Sequence, residues 1–185
     1  LIAGFLNENP DTTLQTIEGD STFVKELLTD GKCDIAFLRS ESSSVKEFNS
    51  IPYMIDYLTA VLPATHPLAN ADNLPFEQLR GETFLLFPEH SFINDLCIRE
   101  CRNAGFEPHI AYTGNRGATL IDLVRNGAGI TLMMHHSARQ ENDSSLAFIP
   151  VTPGIYSYIS LNYAKEKPLS PQAESFVRYV KAHKR

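Results

Sequence analysis

The segment Val61-Leu62-Pro63-Ala64-Thr65-His66-Pro67-Leu68-Ala69 closes an apolar, β-rich run, Leu58 to Leu62, in a turn bounded by two prolines. Proline fixes the backbone, so the chain stiffens and changes direction there. Alone this is an ordinary strand exit. Working outward, three further segments follow in order: Cys101-Arg102-Asn103-Ala104-Gly105-Phe106-Glu107-Pro108, Leu123-Val124-Arg125-Asn126-Gly127-Ala128-Gly129-Ile130, and Leu169-Ser170-Pro171-Gln172-Ala173-Glu174-Ser175-Phe176. Upstream stands Asp30-Gly31-Lys32-Cys33-Asp34-Ile35-Ala36.

Each segment is weak singly, but their order and spacing over nearly the whole chain are specific. The series resembles the effector-binding domain of LysR-type transcriptional regulators. That resemblance implies an α/β, two-lobed, type II periplasmic-binding-protein-like fold with mostly parallel sheets and the ligand in a cleft between lobes. It places lobe 1 at 1–62 and 152–185 and lobe 2 at 63–151. It implies sensing of a small-molecule effector, not catalysis, with no cofactor. It also implies a cytoplasmic homodimer or homotetramer that touches DNA through an N-terminal helix-turn-helix outside this sequence.

Composition agrees with a binding module. The chain has 185 residues, 43% hydrophobic and 21% charged, enough to bury a core. A formal charge of −6 argues against nucleic-acid binding by this segment, since phosphate recognition wants a basic face. No apolar stretch approaches membrane-spanning length. Three cysteines do not suggest a disulfide framework and fit a reducing compartment. Cys97 and Cys101 share one helical face; they read as small core residues or, more sharply, as a redox pair. His135 and His136, read as neighbours on opposite faces of a strand, give no metal-ligand spacing.

Strands and helices alternate. Leu1 to Asn9 reads as a helix stopped by Pro10, caught partway through, so lobe 1 is expected to lack the strand and loop that precede it in relatives. Thr12 to Glu18 is β-rich. Ser21 and Thr22 stand where an N-cap belongs, ahead of a helix stopped by Gly31, and Cys33 to Leu38 is a strand ending at Arg39. Phe76 to Leu79, Ser91 to Ala104 and a segment around Leu120 to Val124 read as helices. Thr83 to Phe87, His109 to Thr113, Ile130 to Met134, Leu146 to Val151 and Tyr156 to Tyr163 read as strands. Ser170-Pro171 supplies an N-cap and first-turn proline for a last helix, whose C-terminal dipole suits the basic tail Lys181 to Arg185.

In such folds ligands meet strand C-termini and helix N-termini. Ser21 and Thr22 offer hydroxyls and backbone donors at one helix start; capping alone would also justify them. The family resemblance favours an effector contact at Ser21. Arg39, at a strand end, can clamp a carboxylate bidentately, or can be a solvated surface charge. The resemblance makes it the foremost candidate for an acidic effector. Ser91 and Phe92 open another helix and would cover a second side of a ligand; the plainer reading is a cap and a core ring. Asn115 and Arg116, between Gly114 and Gly117, let backbone approach a ligand closely, or form a turn. His66 reads as a turn residue.

The chain departs from the family pattern at Met134, where relatives usually carry proline. There is no Gly-x-Ser-x-Gly elbow, phosphate-binding Gly-x-x-x-x-Gly-Lys or His-Glu-x-x-His. An extracytoplasmic solute-binding protein of a transporter shares the architecture and is the alternative reading.

Overall fold

A computed structural model describes residues 1–138 and 143–183. The chain divides into two compact units, Leu1–Ile55 with Ser157–Arg185, and Asp56–Tyr156. The sequence placed the crossings near residues 62 and 152.

Unit 1 holds α1 (Ile2–Glu8), α2 (Ser21–Thr29), β1 (Ala36–Ser40), the first half of β2 (Phe48–Pro63), all of β8 (Tyr156–Ala164) but its first residue, and α6 (Pro171–Ala182). Strand order is β1-β8-β2, with β1 antiparallel to β8 and Arg39 opposite Ile159. Side chains alternate across this sheet. Ala36 and Leu38 join Leu28 of α2 and Phe48 in one cluster. Leu161, opposite Phe37, joins Phe5 of α1 and Phe176, Val177 and Val180 of α6 in the other. Ser170 caps α6 by accepting from the Ala173 N–H, and Pro171 occupies the first turn as expected. Lys184 and Arg185 of the basic tail lie outside the described residues.

Unit 2 holds the second half of β2, β3 (Leu74–Pro75), a 3-10 turn (Phe76–Leu79), β4 (Thr83–Leu86), α3 (Phe92–Asn103), β5 (His109–Thr113), α4 (Gly117–Arg125), β6 (Thr131–Met134), α5 (His135–Ala138) and β7 (Leu146–Thr152). β4 and β5 run parallel, as do β3 and β7, while β2 pairs antiparallel with both β6 and β7. The expectation of mostly parallel sheets is therefore corrected to mixed ones. β2, a 16-residue strand belonging to both units, runs against β6 and β7, and β1 runs against β8.

Both faces of the unit 2 sheet are covered, which explains its near-continuous apolar strands. Leu58, Ala60, Leu62, Phe84, Leu86, Leu132 and Met134 face α3, while Val61, Leu85 and Met133 face α4 with its Leu120, Ile121 and Val124. Met134, at the place of the family proline, is a buried strand residue opposite Leu58.

The recurring segments owe their form to chain geometry. Gly105 at φ 78° stops α3, and the next N–H, of Phe106, returns to the Cys101 carbonyl at 3.0 Å. Gly127 at φ 76° stops α4 in the same way, its N–H reaching the Val124 carbonyl and that of Ala128 the Leu123 carbonyl. Gly129, at φ 154°, brings the chain against β4, where the Thr83 carbonyl accepts from the Ile130 N–H at 2.8 Å. A β-carbon on Gly129 would collide with that carbonyl. Gly129→Ala is therefore expected to cost about 1–3 kcal/mol through strain at this junction, measured by denaturant unfolding; an unchanged midpoint would refute the close-approach account.

Three further local expectations are corrected. Thr12 to Glu18 forms no strand; it is largely exposed and pairs with no ladder. His135 and His136 lie on α5 rather than on a strand, because the Asp56 carboxylate accepts from the His136 N–H at 3.1 Å and turns the chain out of β6. The strand expected to end at Leu38 continues through Arg39 to Ser40, held by β8.

Candidate functional site

The seven candidate residues fall into two groups, one in each unit. In unit 1, Asp20 and not Ser21 or Thr22 caps α2; its carboxylate accepts from the N–H groups of Thr22 and Phe23 at 2.9 and 3.0 Å. A carboxylate is favoured there by the helix dipole as well as by geometry. This relieves Ser21 of the capping duty. Its hydroxyl accepts instead from the Arg39 backbone N–H at 3.3 Å. β1 is the edge of its sheet, so Ser21 satisfies an outward-facing donor that has no strand beside it. Thr22 is exposed on the first turn of α2.

Arg39 is half-buried, and its Nη1 donates to the hydroxyl of fully buried Ser157 at 2.6 Å. Three segments distant in sequence thus converge: the start of α2, β1 and the start of β8. Ser157 was missed by sequence reasoning. Its available signal was a small hydroxyl residue set between the aromatic positions Tyr156 and Tyr158 of a strand. A guanidinium fixed by a buried hydroxyl has fewer rotamers to lose when it meets a carboxylate, and its planar fork can offer two parallel N–H donors.

In unit 2, Ser91 is the N-cap of α3, accepting from the Asn94 N–H at 3.3 Å and donating to the Pro88 carbonyl at 2.7 Å. The capping reading thus accounts for its hydroxyl. Phe92 is half-buried and packs on the core between the sheet and α3. The turn before them carries a strained residue that sequence reasoning did not single out, His90 at φ 65°. Asn115 and Arg116 are exposed; Arg116 stands at the N-cap position of α4 and makes no side-chain capping bond. A β-carbon on Gly117 would meet the terminal methyl of Met133 at 2.8 Å, a contact that the flexible Met side chain can relieve by shifting. His66 is the expected turn residue: its Nδ1 accepts from the Leu68 N–H at 3.2 Å and its Nε2 lies 3.3 Å from Glu82.

The remaining chemistry-bearing groups read as structure. Cys97 and Cys101 are fully buried on α3. Burial pushes the Cys101 thiol up to about 12, with the Glu107 and Glu100 carboxylates adding to it. Burial likewise raises Cys97 well above the usual thiol range, with Cys101 and Glu100 adding to it. Thiolate, the reactive form, is thus disfavoured, and the core reading stands over the redox one. Buried Asp56 accepts from the N–H groups of Tyr57 and His136, and His135 stacks on Tyr57 with ring centroids 4.3 Å apart. Among the described residues no group of three or more His, Cys, Asp or Glu is placed to hold a metal ion, and no helix is long and apolar enough to cross a membrane.

Comparison with known proteins gives the family and the fold. Among curated proteins the chain is similar to the transcriptional dual regulator GltC of Bacillus subtilis, 25% identical over 181 residues. That match covers 97% of this chain and 60% of GltC, so the chain spans well under two thirds of the relative's length. Among solved structures it resembles the BenM effector-binding domain with its effector benzoate, with a TM-score of 0.80, 20% identity, and coverage of 98% of this chain and 82% of that one. It also resembles full-length CbnR complexed with its target DNA, with a TM-score of 0.78, 21% identity, and coverage of 98% and 63%. At these identities the structural likeness establishes the type II periplasmic-binding-protein-like fold. The LysR substrate binding domain model matches residues 1–185. The chain therefore belongs to the LysR substrate-binding-domain family.

Proposed function

We propose that this chain is the effector-sensing part of a LysR-type transcription regulator, and that its effector is a small carboxylate anchored by Arg39. The observation that carries the proposal is the convergence of Ser21, Arg39 and Ser157, which fixes a guanidinium at the end of β1. The effector would meet the Arg39 fork through its carboxylate and take a further hydrogen bond from Ser21 or Thr22. BenM, whose structure holds benzoate, is a family precedent for an acidic effector. Ser91, Phe92, Asn115 and Arg116 are the proposed contacts from lobe 2. In a thermal-shift screen of small organic acids, the effector at a hundred times its Kd is expected to stabilise the chain by about 2.7 kcal/mol. Stabilisation by neutral or cationic compounds alone would contradict the acid proposal.

The curated relative is a transcriptional regulator, which favours this reading over a transporter's solute-binding protein and over an enzyme. In the full-length protein, DNA contact would come from a helix-turn-helix part outside this sequence, a reading that the acidic charge of this chain supports, and a promoter-binding role favours a cytoplasmic location. We also propose a homodimer or homotetramer with isologous contacts. Two helices are candidate contacts, α1 and α4, which carries Leu120 to Val124. The second has its apolar face committed to the core of unit 2, whereas α1 keeps Ile2 exposed. Sedimentation of the full-length protein with and without promoter DNA checks both statements: an oligomer that binds the DNA is expected, and a monomer or an unbound one would overturn them.

A further inference from the structure

The sheet face that carries Arg39 is apolar and well covered at one end only. Side chains alternate along a strand, so Phe37 and Arg39 project from the same face of β1, with Leu161 and Ile159 of β8 opposite them. Tyr53 of β2 is on this face too, since its ring meets that of Phe37 edge-on with centroids 5.3 Å apart. Helices α1 and α6 close the end at Leu161, which packs with Phe5 and Phe176. Their cover thins toward Arg39. Leu161 is fully buried, Phe37 opposite it keeps 37% of its surface exposed, and Ile159 opposite Arg39 is half-buried. Phe37 belongs to neither core cluster of unit 1.

A large apolar side chain left exposed beside a cation, in the middle of a strand, is more informative than one in the core. The Phe37 and Tyr53 rings, inclined at 63°, form an apolar corner to which a further ring can add edge-on or offset. Arg39 lies two residues beyond Phe37, about 7 Å along β1. A six-membered ring that bears its carboxylate directly covers that distance. Small-molecule sites pair such an apolar lining with a few polar groups. On the reading that Arg39 anchors a carboxylate, we propose that the effector is an aryl carboxylate whose ring rests on Phe37 and Tyr53. A short straight-chain acid would leave the corner unfilled, and a long spacer would carry the ring past Phe37.

The test is amide-shift NMR titration of the 185-residue chain with benzoate, cyclohexanecarboxylate and acetate at matched ionic strength. Benzoate is expected to give saturable shifts at Phe37, Arg39, Tyr53 and Ile159. It should bind about tenfold or more tighter than acetate, which lacks the apolar body. It should bind about threefold or more tighter than cyclohexanecarboxylate, which fills the space without a π-face. Phe37→Leu keeps an apolar side chain at this partly exposed position, and is expected to bring benzoate down to the affinity of cyclohexanecarboxylate. Arg39→Ala is expected to weaken all three acids. Equal affinities for the three acids, or unchanged benzoate affinity in Phe37→Leu, would overturn the aryl subsite and leave the Arg39 anchor standing. Benzoate binding that Phe37→Leu weakens and Arg39→Ala does not would overturn the anchor instead. Benzoate shifts confined to other residues, or none that saturate, would overturn the subsite as well.

Discussion

Arg39→Ala is expected to weaken binding of the carboxylate effector by about 2–5 kcal/mol, the cost of truncating one member of a desolvated charge pair. By calorimetry this is a loss of roughly thirtyfold or more in affinity. Arg39→Lys is expected to recover part of the loss, because an ammonium restores the charge but not the two parallel N–H donors of the fork. Ser157→Ala should also weaken binding, by less, since it removes the hydroxyl that holds Nη1 at 2.6 Å without removing the cation. Equal affinity in the native chain and Arg39→Ala would remove Arg39 from the site. A loss that high salt erases would mark it as a solvated charge instead.

The second large effect concerns stability. Phe5→Ala is expected to destabilise unit 1 by about 3–5 kcal/mol, the range for emptying a fully buried aromatic site. Phe5 has no exposed surface, and its ring meets those of Phe176 and Tyr179 edge-on, with centroids 4.9 and 5.6 Å away. It joins α1 to α6, and so the first residues of the chain to the last. In a domain of this size each kcal/mol moves the melting temperature by about 2–4 °C. Ile2→Ala, on the same helix but 45% exposed, is the control and should change stability by less than about 0.5 kcal/mol. Similar losses in both variants would mean that α1 does not dock as described.

What could be read from the sequence was what short-range chemistry decides. Ser91 and Gly105 bracket α3, and Ser170-Pro171 opens α6, because caps and left-handed stops act on N–H and carbonyl groups within a few residues of themselves. The five recurring segments were legible for the same reason. Four of them are turns or helix stops, which identify the fold and leave the ligand unnamed.

What escaped was set by remote partners. α5 depends on the Asp56 carboxylate, 80 residues from His136, so the histidines read as the end of a strand. β1 carries on through Arg39 because β8 pairs with it from the other end of the chain. Ser157 reaches Arg39 across the same pairing, 118 residues away. Ser21 and Thr22 looked like caps because Asp20, one residue earlier, was not weighed for the same role. The candidate site is therefore harder to read than the fold: Ser21, Arg39 and Ser157 are joined by tertiary contacts, while the helix ends are local.

The most direct test of the Arg39–carboxylate account is a crystal structure of the chain with the acid that stabilises it best. The effector's carboxylate is expected to be paired with the Arg39 guanidinium at about 2.7–2.9 Å, with the Ser21 or Thr22 hydroxyl within hydrogen-bond reach. A carboxylate seated away from β1, with Arg39 bonded to Ser157 and not to the ligand, would contradict it.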